Sequence, residues 1–452
     1  MRKYFGTDGI RGRANVFPMI SDFALKLGKA IATIFKNGGK KHLIVIGKDT
    51  RISGYMFENA IVSGICSMGV DAVLLGVLPT PAIAFITKSL RADAGVVISA
   101  SHNPYYDNGI KFFGPDGYKL SDDLELKIEE LVEKNNFNLS PTNIGKAYRI
   151  ETAIGRYVEY VKSTFDKDID LKGLKIVIDC ANGATYKVAP MAFSELGADV
   201  IVINDKPNGY NINDGCGAVN PEQLQGEVIK HKADLGISFD GDGDRVIFVD
   251  EKGEIVDGDY ILGICADFMN EIGSLKNSTI VATVMSNLGF ENSLLNRGIK
   301  MIRSQVGDRY VLEEMLKGGY NLGGEQSGHI IFSDYNTTGD GLISALQLLK
   351  VLVRKGDSLN NIKKFIEVYP QKLKNLPVDE KVPFERLTKL QKIIRDIENE
   401  LKNSGRVLVR YSGTENKLRV MVEAEFEDKI DEYIDKICEV AIEDINKNKS
   451  RN

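Results

Sequence analysis

The chain has little of what marks several common protein classes. Its five cysteines (Cys66, Cys180, Cys216, Cys265, Cys438) are scattered, odd in number and form no Cys-x-x-Cys pair. A reduced, cytoplasmic setting is therefore expected, with the thiols as small core hydrophobes or inert surface groups. There is no basic excess: the formal net charge is −5 over 452 residues. Nucleic acid and anionic membrane are not expected as main partners, since both need a broad basic surface; a local basic cleft remains compatible. No apolar run is long enough to span a bilayer. The opening Met1-Arg2-Lys3-Tyr4-Phe5-Gly6-Thr7-Asp8 has no apolar core behind its basic pair, so it does not read as a signal peptide. A Gly-x-Ser-x-Gly elbow is missing. No Gly-Lys pair is followed by Ser or Thr, so no Walker A loop exists and nucleotide is not implied.

What is present is an ordinary globular balance, 43% hydrophobic and 27% charged, arranged as a repeat. Leu43–Gly47, Lys175–Asp179 and Thr279–Thr283 each read as a buried strand. Each is followed by a helical stretch closed by Gly69, Gly197 or Gly298, and then by a second apolar strand. That is a βαβ unit, and its continuous apolar strands imply a parallel sheet covered by helices. A third strand then leads through a polar loop to a fourth strand and a tight turn. The three loops are Ser99–Pro104, Asp240–Arg245 and Gly324–His329. Loops at strand ends are where α/β folds place ligands. After Tyr369-Pro370 the pattern changes to a helix near 384–402, strands over 406–411 and 419–424, and a helix near 429–446. The expected fold class is α/β: three similar mixed α/β domains over 1–150, 151–253 and 254–369, plus a C-terminal α+β domain over 370–452. Four domains is one more than length alone suggests.

Asp240-Gly241-Asp242-Gly243-Asp244 places three carboxylates at alternate positions, where a sharply folded loop can aim them at one point. Hard divalent cations such as Mg²⁺ or Ca²⁺ want such oxygen ligands. An EF-hand loop is rejected because Arg245 stands where that loop requires Gly and the flanks are strand-like. Three aspartates packed between apolar strands repel one another unless a cation offsets them. Ser101 ends a buried strand beside His102 and a turn-forming Asn103-Pro104. A lone strand-end serine is usually a cap. Its place in a repeat that also carries the acidic loop favours a phosphoacceptor instead, since a phosphoserine would complete a metal site built from three Asp. The loop from Arg410 through Ser412-Gly413-Thr414 to Arg419 offers two hydroxyls, exposed backbone N–H groups and two guanidiniums, a set suited to phosphate. Glu325 and Ser327, at alternate positions between glycines, suit the vicinal hydroxyls of a sugar, although taken alone they read more readily as a polar turn. Gly6–Gly12 presents Arg11 on a glycine-punctuated loop.

Taken together, Ser99–Pro104, Asp240–Arg245, Gly324–His329 and Arg410 with Ser412-Gly413-Thr414 resemble the α-D-phosphohexomutase superfamily, in order and over essentially the whole chain. Within it the chain is similar to the bacterial phosphoglucosamine mutase branch. The similarity lies in Lys3–Gly12, in Asn287-Leu288-Gly289, in Gln305–Val311 and in Gln326, where relatives acting on glucose or mannose phosphates usually carry Met. Asn416, where Pro is usual, and Gly217-Ala218-Val219-Asn220 depart from the pattern.

The resemblance implies an isomerase-class intramolecular phosphotransferase in the amino-sugar and peptidoglycan precursor route, interconverting glucosamine 6-phosphate and glucosamine 1-phosphate. Ser101 would carry a phosphoryl group. One Mg²⁺ would be held by Ser101, Asp240, Asp242 and Asp244. Glucosamine 1,6-bisphosphate would be activator and intermediate. Arg11, His102, Lys111, Arg245 and His329 would support catalysis. Glu325 and Ser327 would hold the sugar, and Arg410, Ser412, Gly413, Thr414 and Arg419 its resident phosphate. The expected partner is a small sugar phosphate, with a homodimer allowed. The alternatives are a phosphomannomutase or phosphoglucomutase of the same superfamily, or a non-catalytic sugar-phosphate or calcium sensor.

Overall fold

The protein is described by a computed structural model covering residues 2–36, 41–412 and 416–449. The threefold repeat of the sequence becomes three sheets with one wiring plan. In the first, Leu43–Lys48 runs parallel to Asp71–Val77 on one side and to Ala94–Ile98 on the other, and Asp107–Phe113 returns antiparallel to Ala94–Ile98. In the second, Lys175–Asp179 lies between Asp199–Ile203 and Leu235–Phe239, with Val246–Asp250 antiparallel to the latter. In the third, Thr279–Thr283 lies between Lys300–Ser304 and Leu322–Gly324, with Ile330–Phe332 antiparallel. Ile10–Arg13 and Ile255–Val256 extend the first and second sheets as antiparallel edges, and Ala147–Arg149 adds a parallel strand to the first. The sheets are thus mixed, where continuous apolar strands alone suggest a parallel sheet. The reason is loop length: a parallel crossover needs a dozen or more residues, and the three short polar loops can only reverse the chain.

The central strands are buried along their length, Ala94–Ile98, Leu235–Phe239 and Val246–Asp250 completely, as helix-covered sheets require. The helix Ser21–Phe35 buries Phe23, Leu27, Ala30 and Ile31 at three-to-four spacing against the helix Ser53–Ser67. Gly28 and Gly64 allow their close approach. A Cβ at Gly28 would stand 2.4 Å from the Ile61 carbonyl, and one at Gly64 2.2 Å from that of Leu25. The helix Gly341–Lys355 starts on Asp340, whose carboxylate accepts from Leu342 and Ile343 N–H, and stops on Gly356 in the left-handed region.

The chain forms two compact units. The first holds the three sheets. The second comprises 286–298 and 365–452, so it is not contiguous in sequence. Its sheet has Lys417–Ala424 in the centre, antiparallel to Gln371–Pro377 and Gly405–Tyr411. The helices Thr388–Leu401 and Ile430–Asn448 cover a core of Leu390, Ile397, Leu418, Val420, Ile434 and Ile437. The helix Leu288–Leu295 is tied into this unit by polar bonds: Leu288 N–H donates to Glu423 Oε1 at 2.7 Å, and Asn287 Oδ1 accepts from Tyr369 N–H at 2.9 Å. Among the described residues no helix is long and apolar enough to cross a membrane.

Candidate active site

In the first unit the three polar loops meet. Ser101 has φ of +52°, a conformation that is uncommon for a side chain other than Gly, Asn or Asp. It is 1% exposed, and its Oγ donates to Asp240 Oδ2 at 2.6 Å. Asp240, Asp242 and Asp244 are all buried, with ligand oxygens within 4.8 Å of one another. The close approach of serine loop and acidic loop depends on Gly241. A Cβ there would lie 2.6 Å from the Ser101 carbonyl oxygen.

The protein holds part of each aspartate and leaves part open. Asp240 Oδ1 accepts from Arg245 N–H at 3.2 Å. Asp242 Oδ2 accepts from Thr80 Oγ1 at 2.6 Å and from Lys111 Nζ at 3.0 Å. Asp244 Oδ2 is 3.7 Å from His329 Nδ1 and 3.8 Å from Lys111 Nζ. Asp242 Oδ1 and Asp244 Oδ1 are buried and accept no hydrogen bond among the described residues. Buried carboxylate oxygens left so are costly unless a cation meets them. The donor set therefore fits a hard divalent ion, with Ser101 Oγ at its edge. Two buried guanidinium atoms, Arg11 Nε and Arg245 Nε, likewise have no acceptor among the described residues. They fit an anion.

Electrostatics follow from this crowding. Burial, then Asp244 and Asp242, push the Asp240 carboxyl well above the usual range. Burial also pushes Asp244 up, but Lys111 and His329 outweigh it and hold that carboxyl well below. Burial pulls Lys111 down, yet Asp242, Asp8 and Asp244 overcome it, so the ammonium is held charged. His102, whose Nδ1 is 3.3 Å from Ser101 Oγ, is pulled down to about 4 by burial, then by Arg245 and Arg11, and is neutral at pH 7. His329 is pulled down by burial but raised on balance by Asp244 and Asp308. Its Nε2 accepts from Gly339 N–H at 3.2 Å, which in the neutral ring puts the proton on Nδ1, facing Asp244.

Ser101, His102, Lys111, Arg11, Arg245, His329 and the three aspartates thus lie together. Glu325 lies at Arg245's side of the cluster, its Oε1 accepting from Gly307 N–H at 3.0 Å, and Ser327 is exposed on the same loop. Gln326 donates through Nε2 to Asp257 Oδ2 at 3.1 Å, and so leans on the cap of the helix Gly258–Glu271. Arg410, Ser412 and Arg419 belong to the second unit. Arg410 and Arg419 are direct cross-strand partners, and burial, then the Arg419 charge, lowers the Arg410 guanidinium from its usual value. Two like charges directly opposite on one face repel unless a negative group offsets them. Gly413 and Thr414 lie outside the described residues.

Sequence reading missed several participants. Asp8 binds Lys111 Nζ at 3.0 Å and also pairs with Lys119, which pairs in turn with Asp308. Thr80 orients Asp242. Asp49, Arg51 and Asn213 surround the serine loop. Asp49-Thr50-Arg51 stands directly after the first buried strand, and that strand-end position was the available signal. Thr80, Lys119 and Asn213 carry no local pattern.

Comparison with known proteins bears on the family and the fold. Four families match in chain order: phosphoglucomutase/phosphomannomutase alpha/beta/alpha domains I, II and III over residues 2–139, 155–253 and 257–369, and the C-terminal domain of the same proteins over 373–440. The phosphoglucosamine mutase of Citrifermentans bemidjiense is 59% identical over 433 residues, 95% of each chain. That of Geotalea daltonii is 56% identical over 452 residues, 99% of this chain and 100% of the relative. Among solved structures, a phosphoglucomutase/phosphomannomutase family protein from Burkholderia thailandensis superposes with a TM-score of 0.81 at 23% identity, covering 100% of this chain and 99% of the other. The Aspergillus fumigatus N-acetylphosphoglucosamine mutase, solved with GlcNAc-6P and magnesium, gives 0.68 at 17% identity over 98% and 96%. At these identities the structures speak to the fold alone. The domain matches span nearly the whole chain, and with relatives above half identity over its full length they show that it belongs to the phosphoglucomutase/phosphomannomutase family.

Proposed function

We propose that this chain interconverts glucosamine 6-phosphate and glucosamine 1-phosphate, the activity for which its relatives are named, through a phosphoryl group carried on Ser101. The observation that carries the reading is Ser101 Oγ at 2.6 Å from Asp240, a member of a buried acidic triad with two oxygens unpartnered among the described residues, while Arg11 and Arg245, whose charges act on the adjacent His102, each keep an Nε without an acceptor among those residues. Mg²⁺, when bound by Asp240, Asp242, Asp244 and Ser101, would offset negative charge on the transferring phosphoryl group.

The sugar's free hydroxyl oxygen forms a bond to the phosphorus on Ser101 as the P–Oγ bond breaks. The hydroxyl proton ends on Ser101 Oγ, which is released as a hydroxyl beside neutral His102 Nδ1 and Asp240. The product is the sugar 1,6-bisphosphate. After it turns end for end, Oγ attacks the other phosphate as that phosphate's bond to the sugar oxygen breaks, the Oγ proton passes to the freed sugar oxygen, and the phosphoserine is restored. Arg11 and Arg245 hold the moving group. Lys111, engaged as a donor to Asp242 and Asp8, acts as a fixed positive charge. Glu325 and Ser327 receive sugar hydroxyls, while Arg410, Ser412, Gly413, Thr414 and Arg419 receive the phosphate that is not reacting.

The test is a coupled assay with Mg²⁺ and a trace of bisphosphate, comparing glucosamine 6-phosphate with glucose and mannose phosphates, on the parent and on Ser101→Ala. A strong preference for the amino sugar, lost with the hydroxyl, is expected. Preference for glucose or mannose phosphate overturns the substrate, and near-normal turnover by Ser101→Ala overturns the phosphoenzyme.

A further inference from the structure

Directly under the serine loop lies a charge that the transfer chemistry does not use. Arg51 is 0% exposed, and its guanidinium gathers backbone carbonyls. Nη2 donates to the Ser101 carbonyl at 2.9 Å and to that of Asn103 at 2.7 Å. Nη1 donates to the carbonyls of Pro104 and Asp107, the latter at 3.1 Å. Nε donates to Asp49 Oδ2 at 2.8 Å. The same Asp49 oxygen accepts from Ser99 Oγ at 2.6 Å, and Ser99 Oγ accepts from Ser101 N–H at 2.9 Å. From the second sheet's side, Asn213 Nδ2 donates to the carbonyls of Ser101 and Asn103, at 2.9 and 3.1 Å. Both backbone polar groups of Ser101 are thus fixed by one buried network.

We infer that Arg51, with Asp49 and Asn213, is a positioning group for phosphoryl transfer: it locks Ser101 in its left-handed conformation and keeps Oγ aimed at the acidic triad in both the free and the phosphorylated state. Three facts converge. The φ of +52° must be held by its surroundings, since an ordinary side chain leaves that region when free. Four loop carbonyls turned toward one cation have their negative ends taken up beneath the loop, away from an arriving dianion. A buried guanidinium whose donors meet four carbonyls and one carboxylate is well satisfied, so it costs little to keep and much to alter. The network does not touch the reacting atoms; it acts through the backbone of Ser101.

This role rests on Ser101 being the phosphoryl carrier, so the experiment reads both. The parent, Arg51→Lys and Asn213→Ala are charged with bisphosphate and weighed intact. Then kcat, KM for glucosamine 6-phosphate, the rate at which phosphoserine is lost to water, and amide exchange over 99–109 are measured. Asn213→Ala removes one of two donors to each shared carbonyl and is the variant chosen to survive if Arg51→Lys does not fold. The expected result is kcat down about tenfold for Asn213→Ala and about a hundredfold for Arg51→Lys, KM within about twofold, faster phosphate loss, and faster exchange confined to the loop. A merely structural defect would lower the active fraction and leave the phosphoserine lifetime alone. A phosphorylated parent whose variants match it in kcat and phosphoserine lifetime overturns the positioning role. A parent with no phosphate on Ser101 overturns the carrier reading instead, and this role with it.

Discussion

Gly241→Ala adds one methyl group where serine loop and acidic loop touch. Its Cβ would stand 2.6 Å from the Ser101 carbonyl oxygen, 2.7 Å from Asn213 Nδ2 and 2.8 Å from Ile212 Cδ1. Ordinary contact needs about 3.5 Å, so the loops must part by about 1 Å. Little nearby can yield. The Ser101 carbonyl is held by Arg51 and Asn213, and Gly241 O accepts from Ala184 N–H at 2.8 Å. The Ser101 Oγ to Asp240 bond, 2.6 Å now, absorbs the shift and breaks. A misplacement of that size costs roughly a hundredfold in kcat, about 2.7 kcal/mol of barrier, alongside about 1–3 kcal/mol of stability from overpacking. Gly226→Ala is the control. It lies in the helix Glu222–His231 with nothing within 4 Å of its Cβ, and should raise stability by about 0.5–1 kcal/mol at unchanged kcat. Steady-state kinetics and thermal melts of the two variants decide the matter. A Gly241→Ala enzyme with kcat within about threefold of the parent would show instead that the juxtaposition of the loops does not set the rate.

Arg410→Gln should raise KM for the sugar phosphate by about ten- to a hundredfold with a smaller change in kcat, since a charged hydrogen bond to phosphate is worth about 1.5–3 kcal/mol; an unchanged KM would remove Arg410 from the phosphate site. Asp340 is fully buried and pushed up to about 6 by burial, partly opposed by hydrogen bonds from Ile343 N–H, Asn336 and Tyr157. Between about pH 4 and pH 6 the unfolded chain has released this proton and the folded one has not, so folding is weakened as pH rises through that window. The melting temperature of the parent relative to Asp340→Asn should therefore fall from pH 4 to pH 6 and level off above, by an amount matching at most about 3 kcal/mol; a pH-independent difference would show that Asp340 stays ionised.

The sequence exposes what is local. The three strand–loop–strand units are visible because apolar runs and glycines punctuate them, and each becomes a sheet of the same wiring. The acidic triad is visible because its spacing is its geometry. What is hidden is whatever depends on distant chain segments meeting. Thr80 reaches Asp242 across 162 residues and Asn213 reaches Ser101 across 112, and neither has any periodic context. The same holds for 286–298. The helix Leu288–Leu295 reads as part of the third α/β unit by order, but Glu423 and Tyr369 draw it into the second compact unit. Roles are hidden for a related reason. The sequence leaves Lys111 open to acid–base or electrostatic help, and it is the carboxylates of Asp8, Asp242 and Asp244 around it that favour a fixed cation.

Those neighbours also make an argument about charge. Asp8, Lys111, Asp244, His329, Asp308 and Lys119 form a closed ring in which three carboxylates alternate with two ammonium groups and an imidazole, with contacts of 3.0 Å from Lys111 to Asp8 and 3.7–3.8 Å through Asp244 and His329, and with Lys119 joining Asp308 to Asp8. Asp240 and Asp242 are faced by Arg245 and Arg11. The carboxylates of this cluster are thus nearly matched by its cations before any ligand arrives. A divalent cation alone would add two uncompensated positive charges in a buried place, and a phosphoserine dianion alone two negative ones. Only together do they leave the balance as it was. Mg²⁺ affinity should therefore be at least about tenfold higher for the Ser101-phosphorylated enzyme than for the same enzyme after phosphatase treatment, a coupling of about 1.4 kcal/mol or more. Calorimetric titration of Mg²⁺ into the two forms measures it. Equal affinities would mean that the ring is not electrically closed, and that water or another group compensates the metal instead.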